Sequence, residues 1–329
     1  MNVYIIKWDF NPIFEKELII PISIIFKTFM MKLFRNCFFL SLLLTACVSN
    51  NKDQQNSDST TVENPDEYNL SKADILEDYI LALDSTDIQS IGKATIKFKE
   101  LFNQDGDSVL NDKGVALIMD YIEKVSVYGS RSAFEDDVNY RPLVNIEYDG
   151  GETAVPEDLK QAYEKINKNG FRVTEVEGMF DLESNPIYFQ ENFFPFISSN
   201  LEIFLLQQGR DNLEGYATDA AISIPFQTLV QRTIWYEDFA NNTKGTTAGQ
   251  KAKEEYDKYF KTLSIGMDNT PAIESQQLAP YFQEAYTYLK DFAPSSETYK
   301  KLEPYIALLQ EQKIEEAKAL LPDLIGMEI

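Results

Sequence analysis

The stretch Ser71–Asp84, SKADILEDYILALD, places Ile75, Leu76, Tyr79, Ile80 and Leu83 on one stripe at helical spacing. That period recurs along most of the chain, and it narrows the fold more than any other feature. It predicts helices over 86–103, 112–125 and 156–168, a helix capped by Ser199, and further helices over 225–240, 249–265 and 277–292. A last helix is expected over 297–321, with a break at Pro304. Short polar turns separate these segments, so successive helices are expected to lie antiparallel. The fold class that follows is mostly α: packed antiparallel helical hairpins with a small β-hairpin insert.

The insert is read from two places where the period changes. Leu143–Tyr148 has strand character and runs into the turn Asp149-Gly150-Gly151. Phe171–Ser184, FRVTEVEGMFDLES, alternates in part about Gly178 and predicts a two-stranded hairpin.

Composition removes whole classes of chemistry. The chain has no His. Serine and cysteine nucleophiles lose their usual base, and zinc sites of the ordinary His/Cys kind lose half their ligands. The net charge of −23 repels phosphate backbones, so no nucleic acid partner is expected. Of the two cysteines, Cys37 lies inside an apolar run and Cys47 closes it, so disulfides are not expected to staple the body.

That run carries an address. Lys32 and Arg35 supply positive charge, Cys37–Thr45 is apolar but for Ser41, and small Ala46 precedes Cys47. The order is that of a secretory signal, far shorter than the roughly 20 apolar residues of a membrane span. Leu44-Thr45-Ala46-Cys47 resembles the lipobox of bacterial lipoproteins. The resemblance implies cleavage before Cys47, diacylglycerol on its thiol and acylation of the new amine. Each buried acyl CH₂ adds about 0.8 kcal/mol, so two or three chains anchor where one does not. Residues 1–29 are then expected to precede the true start, which leaves Met30 or Met31 as the first residue. Residues 30–46 form the signal and 47–67, almost free of apolar side chains, a tether. Residues 68–329 form the helical domain, as one body or as two packed halves, 68–170 and 171–329.

Two C-terminal stretches carry a second resemblance. WYEDFANNTKGTTAGQKAKEEYDKYFKTL and YIALLQEQKIEEAKALLPDL are similar to tetratricopeptide-like helical pairs, without a strict 34-residue repeat. EGYATDAAISI and GMDNTPAI resemble segments of bacterial envelope proteins to which no activity attaches.

Four features could carry chemistry. In NQDGDSVLND, Asn103, Asp105, Asp107 and Asn111 alternate as oxygen ligands do in a calcium loop, but Ser108 stands where Gly is wanted and Gly114 where the bidentate Glu belongs. A polar turn explains the same residues, and no cofactor is expected. In GMDNTPAIE, Asp268 and Asn269 precede Pro271 in a loop that either faces a ligand or caps the next segment. Tyr281, Tyr288 and Phe292 share a helix at spacings of seven and four, giving either an aromatic platform for peptide or sugar or a core stripe. Glu183-Ser184 and Glu274-Ser275 start as lytic transglycosylase motifs do, but neither continues with the expected Gly-Leu-Met-Gln type sequence.

The expected function is a non-catalytic binding or scaffold module, tied by lipid to the outer or cytoplasmic membrane and facing the periplasm. Its partners would be the membrane and an envelope protein, peptide or glycan. The alternative is a carboxylate-dependent enzyme acting on glycan. A deep cleft with two facing acids favours the enzyme, and a shallow groove lined by Tyr and Phe favours the binder.

Overall fold

The computed structural model describes residues 71–144, 146 and 154–326. The residues assigned above to leader, signal and tether, Cys47 included, lie outside that set, as does the turn at 149–151. Eleven α-helices and four two-stranded antiparallel hairpins are found among the described residues, so the mostly α expectation holds. No helix among them is long and apolar enough to cross a membrane.

Helices α1 (Lys72–Leu81), α2 (Gln89–Leu101) and α3 (Ser108–Ala133) open the chain. Ser71 begins α1 as its sequence requires. Its hydroxyl accepts from Asp74 N–H at 3.2 Å, and the Asp74 carboxylate accepts from Ser71 N–H at 2.8 Å. Helix α3 is twice as long as its apolar stripe indicates. Asp107 starts it four residues early by accepting from Val109 N–H at 2.9 Å. Its C-terminal half runs on buried Val125, Gly129 and Ala133, small residues four apart. A Cβ at Gly129 would stand 3.2 Å from Ile88, so the two helices touch backbone to side chain there.

The expected strand at 143–148 is not formed where it is described. Arg141–Leu143 make one 3₁₀ turn, and Val144 makes a single parallel bridge to Val173. Helix α4 (Lys160–Lys168) then leads into β1 (Phe171–Val176) and β2 (Met179–Ser184), the anticipated hairpin. Its register runs from Phe171↔Ser184 to Val176↔Met179. The turn residues Glu177 and Gly178 both have positive φ, 52° and 79°, as a two-residue turn of this twist demands.

The second part holds α5 (Pro186–Asn192), α6 (Ser199–Glu214), α7 (Phe226–Asn242), α8 (Thr247–Ile265), α9 (Pro280–Phe292), α10 (Glu297–Gln310) and α11 (Ile314–Ile325). Ser198, not Ser199, caps α6, with its hydroxyl accepting from Leu201 N–H. Exposed Pro304 does not break α10, because Leu302, Tyr305, Ile306 and Leu309 bury one continuous face around it. The chain turns instead at 311–313, where Gln312 has φ 59°. Three hairpins of two-residue strands join the helices: β3–β4 (Ala217–Thr218 and Ala221–Ile222), β5–β6 (Gly266–Met267 and Thr270–Pro271) and β7–β8 (Ile273–Glu274 and Gln277–Leu278). The last shortens α9 relative to its expected start at 277.

One hydrophobic core runs through 68–170 and 171–329 alike, from Leu76, Phe98 and Ile118 to Phe204, Tyr236 and Phe282. Phe98 stacks on Phe102 at 4.7 Å and meets Phe193 edge-on at 5.3 Å. Helices α7 and α8 pack as a hairpin whose closeness depends on Gly249. A Cβ there would lie 2.3 Å from the Thr243 carbonyl oxygen.

Candidate functional site

Helix α9 begins at Pro280, whose fixed φ suits a first turn. Its apolar face (Phe282, Ala285, Tyr286, Leu289) is buried. The neighbouring face is not fully used. Tyr281 and Tyr288 are half-buried against Phe226 at the start of α7. Phe226 meets Tyr281 edge-on at 6.3 Å and Tyr288 at 6.2 Å, while Tyr288 stacks on Phe292 at 5.3 Å. Both hydroxyls are pinned. Tyr281 donates to Ile224 O at 3.0 Å, and Tyr288 accepts from Gln231 at 2.8 Å. Burial pushes the Tyr281 hydroxyl above its ordinary pKa, so it stays a donor.

Phe226, Pro280 and Tyr288 line a groove of about 490 Å³ between α7 and α9, within the range of small-ligand and peptide sites. Its charged lining residues are Glu284 and Asp291, both on α9. Neither pairs with a base among the described residues. On the helices packed against α9, Glu297 pairs with Lys300, and Glu237 accepts from the backbone N–H groups of Glu297 and Thr298. The aromatics of α9 divide between the core and its edge. Phe282 and Tyr286 are core, and Tyr281 and Tyr288 form a half-exposed platform.

A second depression, of about 460 Å³, lies between α2, α4 and α5. Its floor is the buried hydroxyl pair Thr95 and Tyr188, 2.7 Å apart. Its walls carry Lys99 and Lys168 against Glu164 and Glu191, so its charge sums to nothing. Lys99 already donates to Asn192 at 2.6 Å and Lys168 to Glu164 at 2.8 Å.

The other sequence candidates are used by the fold. Asp107 caps α3. Asn111 is 2 % exposed, and its amide donates to Asn103 O at 3.0 Å and to Phe196 O at 2.8 Å. Its orientation thus serves the packing of α3 on residue 196. Asp105 has a hydrogen-bond or charge partner of its own. Among the described residues, no group of three His, Cys, Asp or Glu is arranged to hold a metal ion. Asp268 and Asn269 form the turn of β5–β6. Asn269 donates from its backbone to Ala220 O at 2.9 Å and from its amide to Asp219 O at 2.5 Å. It clips this turn to β3–β4, where Asp219 and Ala220 both hold φ near 50°. Glu177 reaches the same Asp219, and the hydrogen bond between them, with the Asp219 charge, pushes the Glu177 carboxyl upward. Glu183 is ion-paired to Arg172 rather than free, and Glu274 lies in β7.

One cluster escaped sequence reasoning. Arg232 of α7 and Asp211 of α6 are 3 % and 4 % exposed, with Nε and Oδ1 3.1 Å apart. Arg232 also donates to Gly215 O at 2.8 Å, to the Tyr259 hydroxyl at 3.2 Å and to Glu214 at 2.9 Å. Asp211 accepts further bonds from Tyr236 at 2.8 Å and Gln207 at 2.9 Å. Burial lifts the Asp211 carboxyl to about 6, against the pull of Arg232. Arg172 donates to Asn212 O at 3.3 Å nearby. The guanidiniums of Arg172 and Arg232 thus bond carbonyl oxygens at the C-terminal end of α6, where Asn212 O also accepts from Gly215 N–H at 3.3 Å. Arg232 Nε faces Asp211 Oδ1 as an ion pair without a hydrogen bond, while the other guanidinium nitrogens of Arg232 are hydrogen-bonded within the fold.

This chain matches no protein-family model, no curated protein and no solved structure.

Proposed function

We propose that this chain is a lipid-anchored protein of the bacterial cell envelope, whose helical body faces the periplasm and binds a partner without chemistry of its own. Support for the anchor is the order of residues 30–47: positive charge, apolar run, small residue, Cys47. The observation that carries the binding half is the α7–α9 groove. It is shallow and floored by Phe226 and Tyr288, and both of its carboxylates sit on the same helix. A glycosidase needs two carboxyl groups flanking the scissile bond, and carboxylates on one wall do not flank anything. The geometry therefore favours binding over the glycan-cleaving alternative.

The anchor is tested by Cys47→Ala. The variant should leave the membrane fraction while keeping its circular dichroism, and intact-mass measurement of native material should show acyl chains on a polypeptide beginning at Cys47. Membrane retention of the variant would sink the anchor. The binding half is tested by purifying the detergent-solubilised protein with whatever accompanies it, before and after Tyr288→Ala.

A further inference from the structure

We infer that the α7–α9 groove accepts an extended, basic segment of a partner polypeptide, with two Lys or Arg residues three positions apart. This inference rests on the binding reading given above and names the partner class for that site. Its ground is the charge of the groove. Glu284 and Asp291 are exposed, are not neutralised by any base among the described residues, and have no cation among their fellow lining residues. Seven residues of α-helix separate them, a rise of about 10 Å. A chain in the extended polyproline II form has three residues per turn and advances about 3.1 Å per residue, so cations at positions i and i+3 share one face, about 9 Å apart, and match the two carboxylates.

The floor between the carboxylates suits the same ligand. Phe226 and Tyr288 present ring surface there, and Gln231 fixes Tyr288 by its hydroxyl. Aromatic faces attract guanidinium and ammonium groups, and the aliphatic stems of those side chains cover apolar surface while the charged head reaches a carboxylate. Gln227, Gln283 and Thr287 on the lining offer donors and acceptors to the peptide backbone. An acidic segment would meet the unpaired carboxylates and the chain's net charge of −23. The neutral depression at α2–α4–α5 lacks this selectivity, since its lysines and glutamates already offset one another.

The test is calorimetric titration of the detergent-solubilised full chain with three acetylated hexapeptides: Gly-Arg-Val-Val-Arg-Gly and the versions with both Arg replaced by Gln or by Glu. The Arg peptide should bind at least tenfold more tightly than the other two. Its affinity should fall about tenfold in the double variant Glu284→Gln, Asp291→Asn, and should weaken as salt rises from 50 to 300 mM. Both substituted residues are exposed, so the unfolding midpoint in urea should not move, and that measurement separates lost binding from lost fold. Equal binding of the three peptides, or an Arg peptide indifferent to the double variant, overturns the basic partner while leaving the groove as a binding face. Binding of none of them also overturns it. That failure extends to the binding reading only if the natural companion of the purified lipoprotein is unaffected by Tyr288→Ala.

Discussion

The two ends of α6 are buried by opposite means. At its N-terminus, Asp112 of α3, 3 % exposed, accepts from Ser198 N–H at 2.8 Å and from the Ser198 hydroxyl at 2.6 Å. At its C-terminus, Arg172 and Arg232 donate to the carbonyls of Asn212 and Gly215. Negative charge meets the free N–H end and positive charge the free carbonyl end, as the helix dipole favours. The same device recurs once more: Glu237, 6 % exposed, accepts from the backbone N–H of Glu297 and Thr298 at 2.8 Å each, at the start of α10. The difference between the ends of α6 lies in what else the charge must satisfy. Asp112 meets a serine and a helix end and has no buried cation among its bonds. Arg232 sits in a closed network in which the counter-charge Asp211 is itself buried. A chain without histidine can hold charge in its core, provided helix termini supply part of the compensation.

The comparison is broken most severely at the C-terminal end. Arg232→Met should cost about 3–5 kcal/mol in urea unfolding, because Asp211 is left buried without its cation. Adding Asp211→Leu to it should recover part of that loss. If the double variant were no more stable than the single one, the pair would not be the source of the cost. A subtler measurement uses pH. The folded pKa of Asp211, about 6, lies above the ordinary aspartate value near 3.9, so the folded state holds this proton more tightly than the unfolded state does. Its contribution to stability is therefore full below about pH 4 and lost as pH rises through 6. Wild type should gain on Asp211→Asn by up to about 2–3 kcal/mol on going from pH 7 to pH 4. A constant difference would place the Asp211 pKa at its usual value. The smallest effect belongs to the N-terminal end. Asp112→Ala strands Ser198 N–H and should cost about 1–2 kcal/mol, less than Arg232→Met. A reversed order would mean that the helix end, not the buried ion pair, dominates.

Much of this body was legible in the sequence, because each long helix buries one stripe and a stripe has a period. The Phe171–Ser184 hairpin was legible for the same reason, through alternation and Gly178. The failures have physical causes. The extension of α3 is buried through Gly129 and Ala133, which a search for large apolar residues passes over. Hairpins β3–β4, β5–β6 and β7–β8 have two-residue strands, too short to show a period. Two of them turn at Asp219-Ala220 and Ser275-Gln276, where side chains occupy positive φ that sequence rules assign to Gly or Asn. Tyr281 and Tyr288 were visible as an aromatic pair, but Phe226, which completes their platform, lies more than 50 residues earlier. Nothing in the local sequence sets Asp211 and Arg232 apart from the chain's other charged residues. Only the packing of α6 on α7 shows otherwise.

The clasp on α6 has a kinetic corollary. The contact from Asp112 to Ser198 spans 86 positions of sequence, and that from Arg172 to Asn212 spans 40. Chain closure over such distances is slow compared with the winding of a single helix. Helix α6 can nucleate alone, but its ends stay hydrated until α3, the β1–β2 hairpin and α7 have all arrived. Full protection of its two ends therefore waits on partners 86 and 40 positions away in sequence.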